Sequence, residues 1–449
     1  MSFDHLKTIY RDFDIRGKFP EEITAEEVYK IGKAVVIYFK AKKIAIGRDI
    51  RPSADELFEA LSRGIREMGA DVVDLGLCTT PMSYFICGST DVDVAIMITA
   101  SHMPSDYNGL KISVDDARPA TGDILQKLKE IVGTHTFSVE TTYGNLTTHA
   151  LQNDWIRQFK DTHDLSGTHF SIVIDPANMI GALEIETFRA FEPDLTVHTI
   201  FEDFDHTCPN HEANPIKHET LTHLSKEVLS QNADMGIAFD GDADRVGFVD
   251  EKGNPVPSDI IGTLLVRRVL RTNPHATVVY DIRSTKALRE EVESLGGTAI
   301  REKVGHTHIK TTMRKHTAVL GVELSGHFFF KESYYAEGGA LPVFVILELM
   351  KEEKKTLSEL ASEVRKYFHS GEINSTIQRT PAEVYGALLE KFPDAEVDRL
   401  DGLSLTYPTW WCNVRPSAND PVMRLNLEAV DQGIMEEKRD TLLAIIRAS

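Results

Sequence analysis

The sequence is poor in cysteine and has no long hydrophobic segment. Its four cysteines are scattered, without the spacing of a zinc site or of a disulfide framework. The longest apolar run, around residues 341–347, is far too short to span a bilayer. The first residues, MSFDHLKTIYRDFD, lack the basic stretch and apolar stretch that together mark a signal peptide. These absences predict a soluble, cytoplasmic protein.

The chain also lacks an excess of basic residues. It contains 49 lysines and arginines against 69 aspartates and glutamates, which gives a formal net charge of −20. Nucleic acids and anionic membranes both need a basic face, so this balance argues against either as a partner. A small anionic ligand stays open, because it needs only a local cluster of arginine and lysine.

One strand-and-loop pattern occurs three times along the chain. An apolar strand that runs into an aspartate is found in IAIGRDIR (44–51), SIVID (171–175) and VVYDIRS (278–284). Each is followed further on by a second apolar strand that ends in a polar loop, namely TASH (99–102), DGDADR (240–245) or ELSGH (323–327). After the first strand, we expect Ser53 to cap a helix whose apolar face includes Leu57, Leu61 and Ile65.

Strands that alternate with helical patterns predict an α/β fold with parallel strands. Ligands of such folds bind beyond the carboxyl ends of the strands, so three repeats would present three different loops at equivalent positions. If the repeats share a cleft, Ser101, the acidic loop and Glu323 could meet around one ligand. If the repeats face apart, they are only similar folds.

Turn-forming and polar stretches suggest where the domains end. The segment after residue 368 contains a strand at 410–414 and an amphipathic helix at 435–446, which predicts a small α+β domain. The predicted domains are three α/β domains at 1–147, 148–254 and 255–368, and the α+β domain at 369–449.

The DGDADR loop is a candidate metal site. Asp240, Asp242 and Asp244 alternate directly after an apolar strand, so all three carboxylates can turn inward and offer the hard oxygen ligands that Mg²⁺ or Ca²⁺ prefers. An EF-hand is excluded, because Arg245 stands where that loop needs glycine. The alternative is a solvated acidic turn.

A phosphate bound beside the three aspartates would explain why Arg245 directly follows them. Mg²⁺ usually takes some of its oxygens from phosphate. Ser101 could supply that phosphate if it is phosphorylated. The alternative for Ser101 alone is a helix cap or a local turn.

Other loops carry candidate ligand-binding residues. In RPSANDPVMR, two arginines can fork onto phosphate oxygens, and two neutral side chains add donors: Arg415, Arg424, Ser417 and Asn419. A simple turn flanked by two arginines is the alternative. KVGH contains Lys303 and His306, and FDIRG contains Arg16.

These motifs together resemble the α-D-phosphohexomutase superfamily, most closely its phosphomannomutase/phosphoglucomutase branch. The resemblance runs in the order of that family through FDIRG, GRDIRPS, TASHMPSDYNGLKI, DGDADR, KVGH, ELSGH and RPSANDPVMR. It implies three related α/β domains with mixed sheets and a smaller C-terminal α+β domain, in a heart shape around a central cleft. In order, these domains would carry the phosphoserine, the metal, the sugar-recognition loop and a phosphate-binding loop.

The resemblance also implies roles for individual residues. One Mg²⁺ per chain would be held by the Ser101 phosphate and by Asp240, Asp242 and Asp244. The sugar would contact Glu323, Ser325 and His327, and its remote phosphate would bind Arg415, Ser417, Asn419 and Arg424. Proton transfer or substrate contact would fall to Lys111 and His306, and further active-site positions are Arg16, His102, Arg245 and Lys303.

The implied enzyme is an isomerase that interconverts hexose 1-phosphate and hexose 6-phosphate, with mannose or glucose as the sugar. A hexose 1,6-bisphosphate would be its intermediate and activator. We expect a monomer or homodimer. Three alternatives stay open: a phosphoglucosamine mutase, a sugar-phosphate phosphatase, and a sugar-phosphate-binding protein of impaired activity. Leu324 favours the mannose/glucose branch, since glucosamine enzymes of the family typically carry glutamine there.

The chain departs from the family pattern at a few positions. Met103 replaces the usual asparagine after the TASH motif, and Ala418, Asn419 and Asp420 alter the last loop. Phe13 and Met179 also differ from the usual tyrosine and glycine. We expect altered turnover or sugar preference from these changes, because none of them replaces Ser101 or the three aspartates.

Overall fold

The computed structural model describes residues 9–11, 13–137, 142–417 and 422–448. The chain divides into two compact units. The first unit contains the residues up to 258 together with 325–359, and the second contains 259–324 together with the residues from 360 onward. Within the described ranges, no helix combines the length and the hydropathy needed to cross a bilayer.

The first sheet of the first unit is mixed. Its strands are β1 (Ile15–Lys18), β2 (Lys43–Arg48), β3 (Asp71–Leu77), β4 (Val94–Ile98), β5 (Tyr107–Val114), β6 (Arg118–Pro119) and β7 (Leu146–Thr148). They lie in the order β1-β5-β4-β2-β3-β7, with β6 beside β5. Strands β4, β2, β3 and β7 are parallel to one another, whereas β5 is antiparallel to β4 and to β1. All five residues of β4 are buried, so this strand ends in the interior of the unit.

Helices α1 (Ala25–Phe39), α2 (Ala54–Glu67), α3 (Thr80–Ser89) and α4 (Asp123–Thr134) accompany this sheet. A capping box starts α1: the Glu27 N–H donates to the Thr24 hydroxyl at 3.2 Å, and the Thr24 N–H donates to the Glu27 carboxylate at 3.0 Å. Gly64 allows α1 and α2 to pack closely, because a Cβ there would lie 2.1 Å from the Tyr29 carbonyl oxygen. Ser53 is the N-cap residue of α2, as expected, but its side chain makes no capping hydrogen bond and instead accepts from the buried Asn108 amide at 2.8 Å.

The second sheet, also in the first unit, carries the acidic loop. Its strands are β8 (Phe170–Asp175), β9 (Leu195–Thr199), β10 (Met235–Phe239), β11 (Val246–Asp250) and β12 (Pro255–Val256), in the order β12-β11-β10-β8-β9. Helices α5 (Gln152–Thr162), α6 (Glu184–Arg189) and α7 (Thr222–Gln231) belong to the same region, with short 3₁₀ turns at Ile180–Leu183 and His218–Leu221. Strands β8, β9 and β10 are parallel, and β11 returns antiparallel to β10. The acidic loop is the connection between β10 and β11.

The third repeat contributes parallel strands to the second unit. These are β13 (Thr277–Asp281), β14 (Thr298–Glu302) and β15 (Leu320–Val322), with helices α8 (Ser258–Thr272), α9 (Lys286–Ser294) and α10 (His306–His316). The chain continues in the first unit with the antiparallel pair β16 (Phe328–Phe330) and β17 (Ala336–Glu337), separated by a 3₁₀ turn at Lys331–Ser333. Helices α11 (Leu341–Glu353) and α12 (Leu357–Val364) follow.

The C-terminal part of the second unit is an antiparallel sheet with two helices. Its elements are β18 (Phe368–His369), β19 (Ile373–Thr376), α13 (Pro381–Lys391), β20 (Glu396–Asp398), β21 (Leu403–Thr406), β22 (Trp410–Pro416), β23 (Val422–Ala429) and α14 (Gln432–Ile446). The strands lie in the order β18-β23-β22-β21-β20, with β19 also beside β23. The apolar residues of this sheet and of α13 and α14 form one buried core.

The three repeats share one arrangement of parallel strands. In each repeat, the strand that leads into an aspartate lies between the next two parallel strands of that repeat, as β4-β2-β3, β10-β8-β9 and β15-β13-β14. The predicted fold class, α/β with mixed sheets and a C-terminal α+β domain, is confirmed. The domain boundaries after residues 147, 254 and 368 stay predictions.

Candidate active site

Ser101 lies in the loop that follows the buried strand β4. Only 2% of its surface is exposed, and its backbone is left-handed with φ of 53°. Its hydroxyl donates a hydrogen bond of 2.8 Å to Asp240 Oδ2 and lies 3.2 Å from His102 Nδ1. Left-handed backbone is uncommon for residues other than glycine and clusters at functional sites. The fold therefore holds a serine in strained backbone between two polar groups.

Arg51 holds the Ser101 loop in place. At distances of 2.6 to 2.9 Å, its guanidinium donates to the backbone carbonyl oxygens of Ser101, Met103, Pro104 and Tyr107. Asp49 in turn accepts from Arg51 Nε at 3.1 Å and from the Thr99 hydroxyl at 2.7 Å. Only a planar guanidinium offers this many donors in a fixed fork.

The β10–β11 loop clusters three buried carboxylates, one of which contacts the serine. Asp240, Asp242 and Asp244 each offer an oxygen, and these oxygens lie within 4.8 Å of one another. Gly241 allows the two loops to touch, because a Cβ there would lie 2.2 Å from the Ser101 carbonyl oxygen. The structure thus brings together two loops that are far apart in the sequence.

Lys111 completes this group from the neighbouring strand. It lies on β5 opposite Met97 of β4. Its Nζ is 2.6 Å from Asp242 Oδ2 and 2.5 Å from Asp244 Oδ2. We call Ser101, Lys111 and the three aspartates the serine–aspartate site.

Burial and neighbouring charges separate the pKa values of these groups. Burial, and then the negative charges of Asp244 and Asp242, raise the pKa of Asp240 to about 7. Burial alone would also raise the pKa of Asp244, but Lys111 and His327 hold it well below its usual range. Burial alone would lower the pKa of Lys111, but the two aspartates that it contacts raise it. Lys111 is therefore an ammonium at neutral pH.

The serine–aspartate site fits a magnesium ion. Its three carboxylates are hard oxygen donors clustered at ligand spacing. In the part of the chain that the structure describes, the buried Asp242 Oδ1 has no hydrogen-bond partner, whereas Asp242 Oδ2 accepts from the Thr80 hydroxyl at 2.6 Å. A buried carboxylate oxygen without a partner is costly unless a ligand completes it.

Arg245 and His327 lie at the edge of this site. Arg245 Nε is 3.2 Å from His327 Nε2, and the same ring nitrogen is 3.3 Å from Asp244 Oδ1. The Ser325 hydroxyl lies 2.9 Å from His327 Nδ1. The ELSGH loop thus contacts the end of the acidic loop through His327, whose ring also contacts Ser325.

Arg16 adds positive charge on the same side of the first sheet. It lies on β1 opposite Gly109 of β5, and it pairs with Asp14. Burial, then Arg245 and Arg16, lower the pKa of His102 to about 2, so His102 is neutral at physiological pH. Among the described residues, Arg16 Nε has no hydrogen-bond partner, which leaves a buried donor for a ligand.

In the second unit, Glu323 lies at the carboxyl end of β15. Only 3% of its surface is exposed, and its Oε1 accepts from the Gly305 N–H at 3.0 Å. Arg283 Nη2 lies 3.5 Å from the same oxygen. The adjacent Leu324 N–H donates to Asp281 Oδ2 at 3.1 Å. Asp281 and Arg283 of the third repeat therefore hold in place the start of the loop that the sequence predicts to recognise the sugar.

The predicted phosphate-binding arginines lie side by side in the C-terminal sheet. Arg415 of β22 is directly opposite Arg424 of β23. Arg424 Nη2 donates to the Ser417 hydroxyl at 3.0 Å. Glu372 contacts both guanidinium groups, at 2.9 Å from Arg415 Nη2 and 3.3 Å from Arg424 Nη1. Asn419, Ala418 and Asp420 lie outside the described residues.

Lys303 and His306 flank the start of α10 in the second unit. Lys303 is exposed, and His306 is the first residue of the helix, directly after the Gly305 that bonds to Glu323. The two residues therefore lie within two positions of the glycine that contacts the predicted sugar-recognition residue.

Three family models match the chain in the order of the repeats. They describe the phosphoglucomutase/phosphomannomutase alpha/beta/alpha domains I, II and III, and they match residues 7–139, 153–253 and 257–367. The chain belongs to the phosphoglucomutase/phosphomannomutase family. Its predicted membership and its predicted class, an isomerase of the phosphohexomutase type, are confirmed.

Relatives of this family match the chain over nearly its full length. The phosphomannomutase of Methanocaldococcus jannaschii is 34% identical over 443 residues, which is 98% of this chain and 97% of the relative. The phosphomannomutase of Escherichia coli K12 is 34% identical over 98% of this chain and 99% of its own. A phosphoglucomutase/phosphomannomutase family protein from Burkholderia thailandensis has a similar structure, with a TM-score of 0.89, 29% identity, and coverage of 97% of this chain and 96% of its own.

Sequence reasoning gave no role to several residues that shape this phosphohexomutase site. Arg51 and Arg283 follow the strand-ending aspartates of the first and third repeats, and the shared letters D-I-R are a signal that could have identified them. In both repeats, the backbone N–H of the arginine donates to Oδ1 of the aspartate, at 3.0 Å in the first and 2.8 Å in the third. Glu372 has no such signal, since no motif surrounds it.

Proposed function

We propose that this family member interconverts hexose 1-phosphate and hexose 6-phosphate, with mannose or glucose as the sugar. Ser101 would carry the phosphoryl group, and a hexose 1,6-bisphosphate would be the intermediate. The observation that carries the proposal is the Ser101 hydroxyl, held in strained backbone 2.8 Å from one of three clustered carboxylates.

In the first transfer, phosphoserine 101 gives its phosphoryl group to the free hydroxyl of a hexose monophosphate. The bond from phosphorus to Ser101 Oγ breaks, and a bond from phosphorus to the sugar oxygen forms. The sugar hydroxyl loses one proton and Ser101 Oγ gains one, so the step balances. In the second transfer, Ser101 Oγ takes the other phosphoryl group of the bisphosphate, and these changes run in reverse.

Asp240, Asp242, Asp244 and an oxygen of the Ser101 phosphate would hold one Mg²⁺, which would neutralise charge on the phosphoryl group. Lys111 and Arg245 add positive charge that belongs to the chain itself. Phosphoryl transfer depends mainly on positioning and charge stabilisation, which buried and fixed cations provide at little reorganisation cost.

The geometry supports separate roles for the groups next to the serine. Lys111 is held as an ammonium by two aspartates, so it serves as a fixed cation and not as a base. When Ser101 is not phosphorylated, Asp240 and His102 both lie within hydrogen-bond reach of its hydroxyl. Asp240 can accept the proton that Oγ loses in the second transfer, whereas the lowered pKa of His102 makes its ring a poor proton acceptor.

The remaining predicted residues would bind the substrate. Glu323, Ser325 and His327 would contact the sugar hydroxyl groups, with Lys303 and His306 as further substrate contacts. The phosphate that is not transferred would bind Arg415, Ser417, Asn419 and Arg424. The proposal includes a cytoplasmic location and a monomer or homodimer, as the sequence predicts.

A phosphorus NMR time course tests the function. We would supply α-mannose 1-phosphate or α-glucose 1-phosphate with Mg²⁺ and a trace of glucose 1,6-bisphosphate. The wild type and a Ser105→Ala control from the same loop should produce the 6-phosphate, and Ser101→Ala should not. Free phosphate as the product would indicate a phosphatase, and no product from either sugar would contradict the proposed reaction.

A further inference from the structure

Glu372 is at the centre of a group of three arginines in the second unit. Its carboxylate lies 2.9 Å from Arg415 Nη2, 3.3 Å from Arg424 Nη1 and 3.6 Å from Arg283 Nη1. The Asn426 side-chain amide also donates to it at 3.3 Å. We call Arg283, Arg415 and Arg424 the arginine cluster.

The arginine cluster needs a negative charge to stay together. Arg415 and Arg424 are directly opposite on neighbouring antiparallel strands, and like charges in that position repel. Arg283 and Arg415 are more than nine-tenths buried, so water screens their repulsion poorly. Arg283 has its own partner in Asp281, whereas Glu372 bridges the two opposite arginines.

Glu372 leaves part of the cluster available to a ligand. Arg415 Nε is buried and has no hydrogen-bond partner within the ranges that the structure describes. The Arg415 guanidinium has five N–H donors, and the Glu372 carboxylate, which accepts from Nη2, cannot take all of them. The donors that remain suit a phosphate monoester, whose oxygens accept several charge-assisted hydrogen bonds.

We propose that Glu372 is a positioning residue that holds Arg415 and Arg424 ready for the substrate phosphate that is not transferred. This inference rests on the proposed function, which assigns the two arginines to that phosphate. Glu372 itself does not contact the substrate. Because that phosphate is bound equally in the ground state and the transition state, loss of Glu372 raises KM and leaves kcat nearly unchanged.

The test compares Glu372→Gln with Glu372→Asp and with a matched control. Glu291→Gln is the control, because Glu291 pairs with Arg267 at 2.9 Å outside the cluster and its side chain is similarly shielded from solvent. With the hexose 1-phosphate that the wild type converts, Glu372→Gln should raise KM about tenfold and change kcat less than about twofold. Glu372→Asp keeps the negative charge, so its KM should lie between those of the wild type and Glu372→Gln. Glu291→Gln should have the KM and kcat of the wild type.

A second readout is the rise in melting temperature caused by glucose 1,6-bisphosphate. It should shrink in Glu372→Gln and persist in Glu291→Gln, while the melting temperature without ligand shows whether each variant folds. An unchanged KM and an unchanged ligand-induced rise in Glu372→Gln would overturn the inference, and so would a lower KM, which would show that Glu372 competes with phosphate. Failure of the proposed function looks different, since the wild type itself would then convert neither sugar.

Discussion

The Ser101 hydroxyl donates a 2.8 Å hydrogen bond to Asp240 across 139 positions of sequence. Each residue lies just beyond the end of a fully buried strand, β4 or β10. Equivalent strand ends in two repeats of the same fold therefore supply the proposed nucleophile and a proposed metal ligand. The bond depends on how closely the two loops approach.

Loss of a proposed metal ligand should slow phosphoryl transfer strongly. Asp242→Asn deletes the charge of a fully buried carboxylate, so we expect kcat to fall about 100-fold or more. Asp164→Asn, at an exposed position, is the control. EDTA should stop the wild-type enzyme and added Mg²⁺ should restore it, as followed by phosphorus NMR. Full activity after EDTA treatment and dialysis would argue against a metal at the serine–aspartate site.

Arg51→Lys should loosen the Ser101 loop. Lysine keeps the charge but cannot reach four carbonyl oxygens in one plane, so buried acceptors lose their donors. We expect the free energy of unfolding to fall by about 2 kcal/mol and kcat to fall at least about tenfold.

The matched control for Arg51→Lys is Arg63→Lys. Arg63 is exposed in the same unit, where its guanidinium lies over the Tyr29 ring. Urea unfolding and initial rates would be measured together on both variants. Wild-type rates in Arg51→Lys would show that the loop does not need this anchor.

Gly241→Ala should push the acidic loop away from Ser101. The added Cβ would start 2.2 Å from a backbone carbonyl, which cannot move aside as a flexible side chain could. We expect activity to fall about 100-fold, the usual cost of a misplacement near 1 Å. Gly386→Ala is the control, because nothing lies within 4 Å of a Cβ at that position in α13. Equal activity of both variants would refute the close-approach argument.

Glu184 should make stability depend on pH. Burial raises its pKa from 4.5 to about 7, although Trp155 Nε1 and the Thr79 hydroxyl donate to it at 2.8 Å and 2.9 Å. Because the pKa is higher in the folded state, its contribution to stability is complete below about pH 4.5 and is lost as the pH rises through 7. A shift of this size corresponds to about 3 kcal/mol.

Melting temperatures of wild type and Glu184→Gln between pH 5 and pH 8 check this expectation. The wild type should lose more stability over that interval than Glu184→Gln, which cannot ionise. Glu186→Gln, at an exposed position, should follow the wild type. Parallel curves for wild type and Glu184→Gln would mean that Glu184 does not ionise over this interval in the folded protein.

Local sequence patterns were enough to predict most of the strands and helices named in advance. The strand predicted at 235–239 is β10, and the helix predicted at 435–446 is the larger part of α14. Ser53 does stand at the predicted N-cap position, but its side chain does not cap the helix, because Asn108, distant in sequence, donates to its hydroxyl instead. Propensity describes what a segment prefers alone, and burial of a polar side chain can override that preference.

The amino-acid sequence by itself determined the three repeats, the strand-ending loops and the resemblance that assigns Ser101 and the three aspartates their roles. These features are local, since apolar periodicity and loop-forming residues act over a few positions. Only the tertiary structure decided that Arg51 anchors the serine loop, that Lys111 pairs with two aspartates and that Glu372 bridges Arg415 and Arg424. Each of these contacts joins groups that are separated in the sequence, and their energies depend on burial and distance, which exist only once the sheets have formed.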